Sequence, residues 1–213
     1  MQVYRWVGAS VGSAALIALC IAYADHPVAR AALTLEPIRR LLWQAPTGTP
    51  LFSILAAAAI ALAVLVRVTG RRWARWMGIA ALAGVASIGA GVLTKYALKA
   101  LFGRTGLSTF LRTGEDSFHW FHAGKYFISF PSTHAAQAAG AFAVLWIVYP
   151  RWRWGYVAVQ LVLAFLLVAG QFHFLGDVVA GIFVGTLVGA ATVPIWQHVS
   201  DRWRERVVES EVH

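Results

Sequence analysis

Six apolar stretches divide the chain, and each approaches the roughly 20 residues that a helix needs to cross the hydrocarbon core of a membrane. They cover residues 7–24, 51–68, 77–101, 135–149, 155–172 and 178–196. No alternation of apolar and polar positions typical of strands is evident along the chain. The pattern predicts an all-α fold, an integral membrane bundle of six transmembrane helices in which residues 1–213 form a single membrane-embedded domain.

The region around the first apolar stretch carries two further signals. Residues 33–44, "LTLEPIRRLLWQ", mix apolar and charged positions in the manner of a helix that lies on a membrane surface. The first stretch also ends in "AYA" before Asp25, which resembles a signal-peptidase site. Because the stretch is long for the core of a signal peptide, we expect a retained first helix followed by a surface-lying segment.

The composition supports the membrane assignment, because only 13% of residues are charged against about 25% in typical soluble domains. The net charge of +9 could indicate nucleic-acid binding, but no nucleic-acid motif accompanies it. Arginine-rich loops that face anionic lipid explain the charge better, so we expect membrane lipids and no nucleic acid as partners. The single cysteine, Cys20, excludes an intramolecular disulfide.

The distribution of basic residues predicts which side of the membrane each loop faces. With the N-terminus inside, the inner segments hold ten Lys and Arg residues and the outer segments hold eight. Five of the outer eight lie within residues 95–125, where they have a chemical explanation, and without them the bias is ten to three. By the positive-inside rule both termini are cytoplasmic, and the loops at 102–133 and 173–177 face the periplasm or the outside.

Ionisable residues at membrane depth are costly and often functional, and three clusters of them lie on the predicted outer side. In the first, "TKYALKALFGR", Lys95 and Lys99 are four residues apart and share a helix face, and Arg104 follows just beyond. Three converging cations would hold an anion with several negative oxygens, such as phosphate. The alternative is that these side chains extend to lipid head groups.

The second cluster, "FPSTH", stands immediately before an apolar stretch. Pro131 breaks the preceding structure, and Ser132 is a favourable N-cap for the helix that follows. The free N–H groups at a helix N-terminus bind phosphate well, and His134 would lie beside a phosphate bound there. An ordinary serine cap with an unrelated histidine is the alternative.

The third cluster, "GQFHFLGDVVAG", contains His173 and Asp177, again four residues apart and predicted to share a helix face. A carboxylate beside one imidazole nitrogen fixes the tautomer and favours nucleophilic attack by the other nitrogen. A purely structural His–Asp pair is the alternative. Taken together, the clusters predict cations that hold a phosphate, one histidine that attacks it and a second that protonates the leaving oxygen.

These motifs, in this order, resemble the type 2 phosphatidic acid phosphatase family, whose fold core is shared with vanadium haloperoxidases. The family pattern is Lys, six residues, Arg-Pro; then Pro-Ser-x-His; then Ser-Arg, five residues, His, three residues, Asp. The second motif is complete here as residues 131–134, and the third keeps His173 and Asp177. The resemblance covers about residues 95–185.

The resemblance implies a role for each conserved motif position. His173 would be the nucleophile that forms a phosphohistidine, Asp177 would orient it, and His134 would be the general acid for the leaving group. Ser132 and the adjacent backbone would bind phosphate oxygens. The family mechanism needs no metal, so we expect neither a metal nor a cofactor.

Two motifs depart from the family pattern. The residue seven positions after Lys99 is Gly106 rather than arginine, and "KALFGR" places Arg104 two positions early; we assign both Lys99 and Arg104 to phosphate. In the third motif, residues 166–167 are Leu-Leu where Ser-Arg is expected. Candidates to replace the missing arginine are Arg112, Lys95 and Lys125, with Gln171 as a neutral donor.

The loop between the first two motifs offers a competing site. His119 and His122 lie near Glu115 and Asp116, and with His134 they provide ligand types that suit zinc. We favour instead a loop that caps the site and contacts the substrate head group, with its aromatic residues dipping into the outer leaflet.

The leading interpretation is a metal-independent phosphoric monoester hydrolase of lipids in the bacterial inner membrane. Candidate substrates are undecaprenyl pyrophosphate, phosphatidylglycerol phosphate, phosphatidic acid and lipid A. The alternatives are a lipid phosphotransferase that uses the same phosphohistidine, a non-catalytic binder of lipid head groups, and a small transporter. Clustering of the ionisable residues at one membrane face argues against the transporter. The sequence leaves the oligomeric state open.

Overall fold

The computed structural model describes residues 2–44, 50–69, 75–122, 124 and 127–212, and the described part of the chain is almost entirely helical or loop. Its one β-type pairing is an isolated antiparallel bridge between Arg104 and Phe118. The all-α fold class is therefore confirmed.

Ten α-helices follow one another along the described chain. They are α1 (Gln2–Leu19), α2 (Asp25–Ala31), α3 (Glu36–Gln44), α4 (Pro50–Val68), α5 (Arg75–Val92), α6 (Lys99–Phe102), α7 (Leu107–Thr113), α8 (Thr133–Val148), α9 (Arg153–Ala169) and α10 (Leu175–Val212). Short π-helical segments, Cys20–Ala24 and Leu93–Leu98, join α1 to α2 and α5 to α6, and 3-10 turns at Ala32–Leu35 and Pro150–Trp152 precede α3 and α9.

Four helical stretches are long and apolar enough to cross a membrane. These are Val7–Trp43, Trp76–Phe102, Pro150–Ala169 and Leu175–Asp201, while two shorter apolar helices cover Ser53–Val66 and Thr133–Val148. The six stretches correspond to the six predicted spans, although six crossings and a surface-lying segment after the first remain predictions. The segment predicted to lie on the surface is helical, as α3.

The bundle has α5, α8 and α10 at its centre, with α8 packed most extensively on α10 and then on α5. Helix α4 lies against α5, α1 lies against α10, and α9 contacts α8 and α10 less closely. Along α10, Gly181, Gly185 and Gly189 face the backbone carbonyls of three successive turns of α8, those of residues 132, 136 and 140. Small residues at four-residue spacing allow two helix backbones to approach closely in a membrane.

The contact between α5 and α8 follows the same principle. Gly140 of α8 lies against the carbonyl of Ala86, and both Ala86 and Ala90 are fully buried. Glycine and alanine at these positions allow the three central helices to pack closely. This packing aligns the start of α8 with the start of α10, where the polar residues lie.

We expect Gly185→Ala to destabilise the protein, because the added methyl group would press on the carbonyl of Ala136. Overpacking of this kind costs about 1–3 kcal/mol. Gly12→Ala is the matched control, since a Cβ at Gly12 meets no atom within 4 Å. Thermal unfolding in detergent, followed by the fraction that remains monodisperse, should show a lower midpoint for Gly185→Ala alone. Equal midpoints for the two variants would contradict the packing described here.

Candidate active site

The N-terminus of α8 brings the second motif to one end of the bundle, beside the start of α10. Ser132 has extended backbone angles, and its side chain accepts a hydrogen bond from the Ala135 N–H at 3.5 Å, so the predicted N-cap is confirmed. His134 follows in the first turn of the helix. Ser132 is fully buried, and its own N–H donates to the backbone carbonyl of Asp177 at 2.9 Å, which joins the starts of α8 and α10.

His173 and Asp177 lie close together, but not on one helical face as the spacing predicted. His173 is in the turn that follows α9, and Asp177 is in the first turn of α10, which begins at Leu175. The Nδ1 atom of His173 is 3.7 Å from Oδ2 of Asp177, which is ion-pair distance but longer than a hydrogen bond. The turn therefore sets this distance. Asp177 lies on the Nδ1 side of the His173 ring, which leaves Nε2 as the nitrogen that could attack.

Asp177 is fully buried, and its two oxygens have separate partners. Oδ1 accepts a hydrogen bond from Nη1 of Arg104 at 2.9 Å. Oδ2 accepts from the Ser129 hydroxyl at 2.5 Å and from the Phe174 N–H at 3.1 Å. Hydrogen bonds thus hold both oxygens of the carboxylate. Of the two, Oδ2 is the one that faces His173.

His134 and His173 face the same cavity from different parts of the chain, and their ring centroids are 6.4 Å apart. The cavity has a volume of about 510 Å³. Its lining combines polar and apolar side chains: Trp43, Lys95, Tyr96, Lys99, Gly106, Leu107, Ser108, Thr109, Ile128, Ser129, Thr133, His134, Gln171, Phe172 and His173.

The predicted cations do not all reach this cavity. Lys95 lies in the π-helical segment Leu93–Leu98, Lys99 begins α6, and both line the cavity. Arg112 is exposed on α7 and is not among the lining residues. Lys125 lies outside the described residues. Two lysines therefore provide the positive charge that the described residues present to the cavity.

Arg104 has a different position, since its side chain is completely buried and surrounded by carboxylates. Nε and Nη2 donate to Asp116 at 2.9 and 2.7 Å, while Nη1 donates to Asp177 and lies 2.7 Å from Oδ2 of Asp25. The ring of Phe174 covers the guanidinium at 4.1 Å. Burial on its own would lower the pKa of Arg104, but Asp116, Asp177 and Asp25 together raise it. The guanidinium is thus already engaged by protein carboxylates and does not line the cavity.

One wall of the cavity comes from α3, the segment predicted to lie on the membrane surface. Trp43 stacks on Phe172 with ring centroids 5.6 Å apart, and its indole N–H donates to the Gly170 carbonyl at 2.9 Å. Gln171, which has a positive φ of 59°, donates from its amide to the Ala32 carbonyl at 3.3 Å. These contacts attach the turn that contains His173 to Trp43 and to the backbone at Ala32.

The histidines of the loop between α7 and α8 form a separate group. His119 lies 2.8 Å from the Ser117 hydroxyl, and its ring centroid is 6.4 Å from that of His122. Within residues 2–44, 50–69, 75–122, 124 and 127–212, no group of three or more His, Cys, Asp or Glu side chains is arranged to hold a metal ion. Neither histidine lines the cavity.

Sequence reasoning missed several residues that support the site, namely Asp25, Asp116, Ser129, Trp43 and Phe172. For Asp25 a signal was present, since it is one of only nine acidic residues and follows directly after an apolar stretch. The preceding "AYA" indicates the flank of a cleavage site instead and so masks this signal. Ser129 has no comparable signal, because a serine before a proline-containing motif is unremarkable on its own.

A comparison with protein families identifies the relationship. The sequence model of the PAP2 superfamily matches residues 80–201, which is more than half of the chain. The chain belongs to the PAP2 superfamily. The match confirms the resemblance to type 2 phosphatidic acid phosphatases, and activity in this superfamily is generally of the phosphatase type.

The matched PAP2 region has a boundary that matters for the site. It includes most of α5 and everything from there to Asp201, but it excludes α1–α4 and therefore Asp25 and Trp43. No curated protein matches the chain. Two of the side chains that support the site thus come from a part of the chain that the PAP2 match does not cover.

We expect the imidazole of His173 to titrate below pH 6.5, the usual midpoint for histidine. Burial lowers the pKa of His173, and the positive charge of Lys99 lowers it further, against the opposing effect of Asp177. A lowered pKa keeps the imidazole neutral near pH 7, with a lone pair available for attack. NMR titration of histidine-labelled protein, with the resonance assigned by its loss in His173→Gln, measures the midpoint. A midpoint at or above 6.5 would contradict this description.

Proposed function

We propose that this protein is a membrane lipid phosphatase that removes a phosphate or pyrophosphate group from a lipid head group. The observation that carries the proposal is the pair of imidazoles, His134 and His173, which face one cavity from different segments, with Asp177 behind His173 and Lys99 in the cavity lining. Suitable substrates include undecaprenyl pyrophosphate, phosphatidylglycerol phosphate, phosphatidic acid and lipid A.

The proposed reaction proceeds in two displacements at phosphorus. His173 attacks through Nε2, because Nδ1 faces Asp177. A bond forms between nitrogen and the terminal phosphorus, and the bond from that phosphorus to the leaving oxygen breaks. The leaving oxygen is the lipid oxygen of a monophosphate or the bridging oxygen of a pyrophosphate, and His134 gives it a proton. Water then attacks the phosphohistidine, with His134 accepting the water's proton, and inorganic phosphate leaves. In-line displacement needs the nucleophile and the acid on opposite sides of phosphorus, which two separate chain segments can provide.

The negative charge on the phosphoryl oxygens must be balanced at the moment of transfer. Lys99 and Lys95 line the cavity and would supply positive charge. Thr133 adds a hydroxyl that lines the cavity, is buried, and has no hydrogen-bond partner within the described part of the chain. We therefore assign phosphate binding to these three side chains and to the first turn of α8, with Ser132 acting as the cap of that turn.

We place the protein in the bacterial inner membrane with six crossings, both termini in the cytoplasm and the cavity open to the periplasm or the outside. The apolar stretches and the basic residues of the inner loops support this orientation. A lipid in the outer leaflet could then present its head group to the cavity while its chains remain in the bilayer.

His173→Ala should abolish phosphate release, because the proposed nucleophile is lost. Removal of a catalytic nucleophile costs at least about 1,000-fold in rate. The assay follows phosphate release from phosphatidic acid in detergent micelles, with and without EDTA. Release by the unmodified protein should survive EDTA, and His119→Ala should be nearly as active because His119 lies outside the cavity. Release that EDTA abolishes would overturn the mechanism.

His134→Ala should slow release by about 10²–10⁴-fold from a lipid phosphate, whose alkoxide needs a proton to leave. In the first turnover, before water attacks the phosphohistidine, the same variant should release nitrophenolate from p-nitrophenyl phosphate much less slowly than it releases the lipid alcohol, because nitrophenolate leaves without protonation. The ratio of the two first-turnover losses measures the general-acid contribution. Equal first-turnover losses on both substrates would show that His134 acts in binding or folding instead.

A further inference from the structure

The buried charge cluster around Arg104 contains a carboxylate that the proposed mechanism does not use. Asp25 comes from the first helical stretch, is fully buried, and lies 2.7 Å from Nη1 of Arg104. That same nitrogen donates to Oδ1 of Asp177. One guanidinium nitrogen therefore stands between two carboxylates that would repel each other without it.

Asp25 also reaches the helix that carries Asp177. Its Oδ1 accepts a hydrogen bond from the Gly176 N–H at 2.7 Å, in the first turn of α10. A Cβ at Gly176 would lie 2.9 Å from Oδ2 of Asp25, so only glycine leaves room for the carboxylate at this distance. Asp25 thus contacts both the guanidinium and the backbone next to Asp177, and it ties the two together.

The remaining contacts hold the guanidinium from the other side. Asp116 receives two parallel hydrogen bonds from Nε and Nη2, the geometry in which arginine binds a carboxylate most strongly. With Asp116 on one edge and Asp25 on the other, Arg104 can present Nη1 to Asp177 in only one orientation. Oδ1 of Asp177 is thereby fixed, and Oδ2 is left for Ser129, the Phe174 N–H and His173.

We propose that Arg104 and Asp25 are positioning residues for the reaction: Arg104 holds Asp177 in the orientation that sets the His173 tautomer, and Asp25 holds Arg104. This positioning role takes the place of the phosphate binding that the sequence predicts for Arg104. The kinetic part of the inference rests on the proposed phosphatase activity. Asp25 lies outside the residues that match the PAP2 superfamily.

Asp25→Asn tests the inference with little change in size. The amide oxygen can still accept from the Gly176 N–H, but its NH₂ group then faces Nη1, donor against donor, and the ion pair is lost. We expect kcat toward phosphatidic acid to fall about 10- to 100-fold, as when an outer partner of a catalytic group is removed, with KM unchanged. Glu36→Gln is the matched control, because Glu36 pairs with Arg39 and Arg40 away from the cavity.

A second measurement does not depend on activity. The ¹⁵N shifts of His173 in histidine-labelled protein report which ring nitrogen carries the proton. We expect the unmodified protein and Glu36→Gln to hold the proton on Nδ1, toward Asp177, and Asp25→Asn to show a mixture of tautomers. Arg104→Lys keeps the positive charge but loses the branched guanidinium that contacts several carboxylates at once. We expect it to give the same mixture of tautomers. It replaces Asp25→Asn in this measurement if that variant yields too little folded protein.

The two measurements separate the possible failures. If the unmodified protein releases no phosphate, the proposed function fails, while the tautomer comparison still tests the positioning role. If Asp25→Asn keeps the original kcat and the original tautomer, the positioning role is wrong. A change in KM alone, with the tautomer unaltered, would also overturn it.

Discussion

The end of the bundle that carries His134 and His173 depends on the buried guanidinium of Arg104. A charge removed from water is tolerated only where opposite charges and hydrogen bonds surround it closely, and three carboxylates from three distant parts of the chain do so here. Asp25 comes from the first helical stretch, Asp116 from the loop between α7 and α8, and Asp177 from α10. None of these segments can move away without leaving an unpaired charge, so the same requirement that balances Arg104 also holds the neighbourhood of His173 together.

The apolar part of the bundle relies on close backbone contact instead of charge. Glycines at every fourth position of α10 lie against carbonyls of α8, and the hydrogen bond from the Ser132 N–H to the Asp177 carbonyl closes the top of that contact. Because the two helices are matched turn by turn, their N-terminal ends lie at the same height. His134 and the His173–Asp177 pair consequently meet at the same end of the bundle, although His134 lies at the start of α8 and His173 follows the end of α9.

Features that follow from local rules could be predicted from the sequence, and the charge partners could not. Apolar stretches mark the helices and Ser132 caps α8. His173 does lie near Asp177, but the turn before α10 brings them together instead of a shared helical face, so the contact was predicted for the wrong reason. Arg104 resembles Lys95 and Lys99 in the sequence because all three are cations close together in the chain. Its actual partner Asp177 is 73 positions away, and the contact between Asp25 and Gly176 spans 151 positions. Such contacts are set by the assembled bundle, which no short motif encodes.

The position of Asp25 bears on how much of the chain is needed to keep the site intact. Similarity to the superfamily delimits residues 80–201, yet a fragment with those limits would leave the Gly176 N–H without its acceptor and Arg104 with one negative neighbour fewer. The charge pairs of the site therefore require residues that lie outside the region matched by the superfamily. One carboxylate of the N-terminal helical stretch thus pairs with a charge inside the matched region, and a chimera that joins residues 80–201 to another N-terminal helix would need an acid at the position of Asp25.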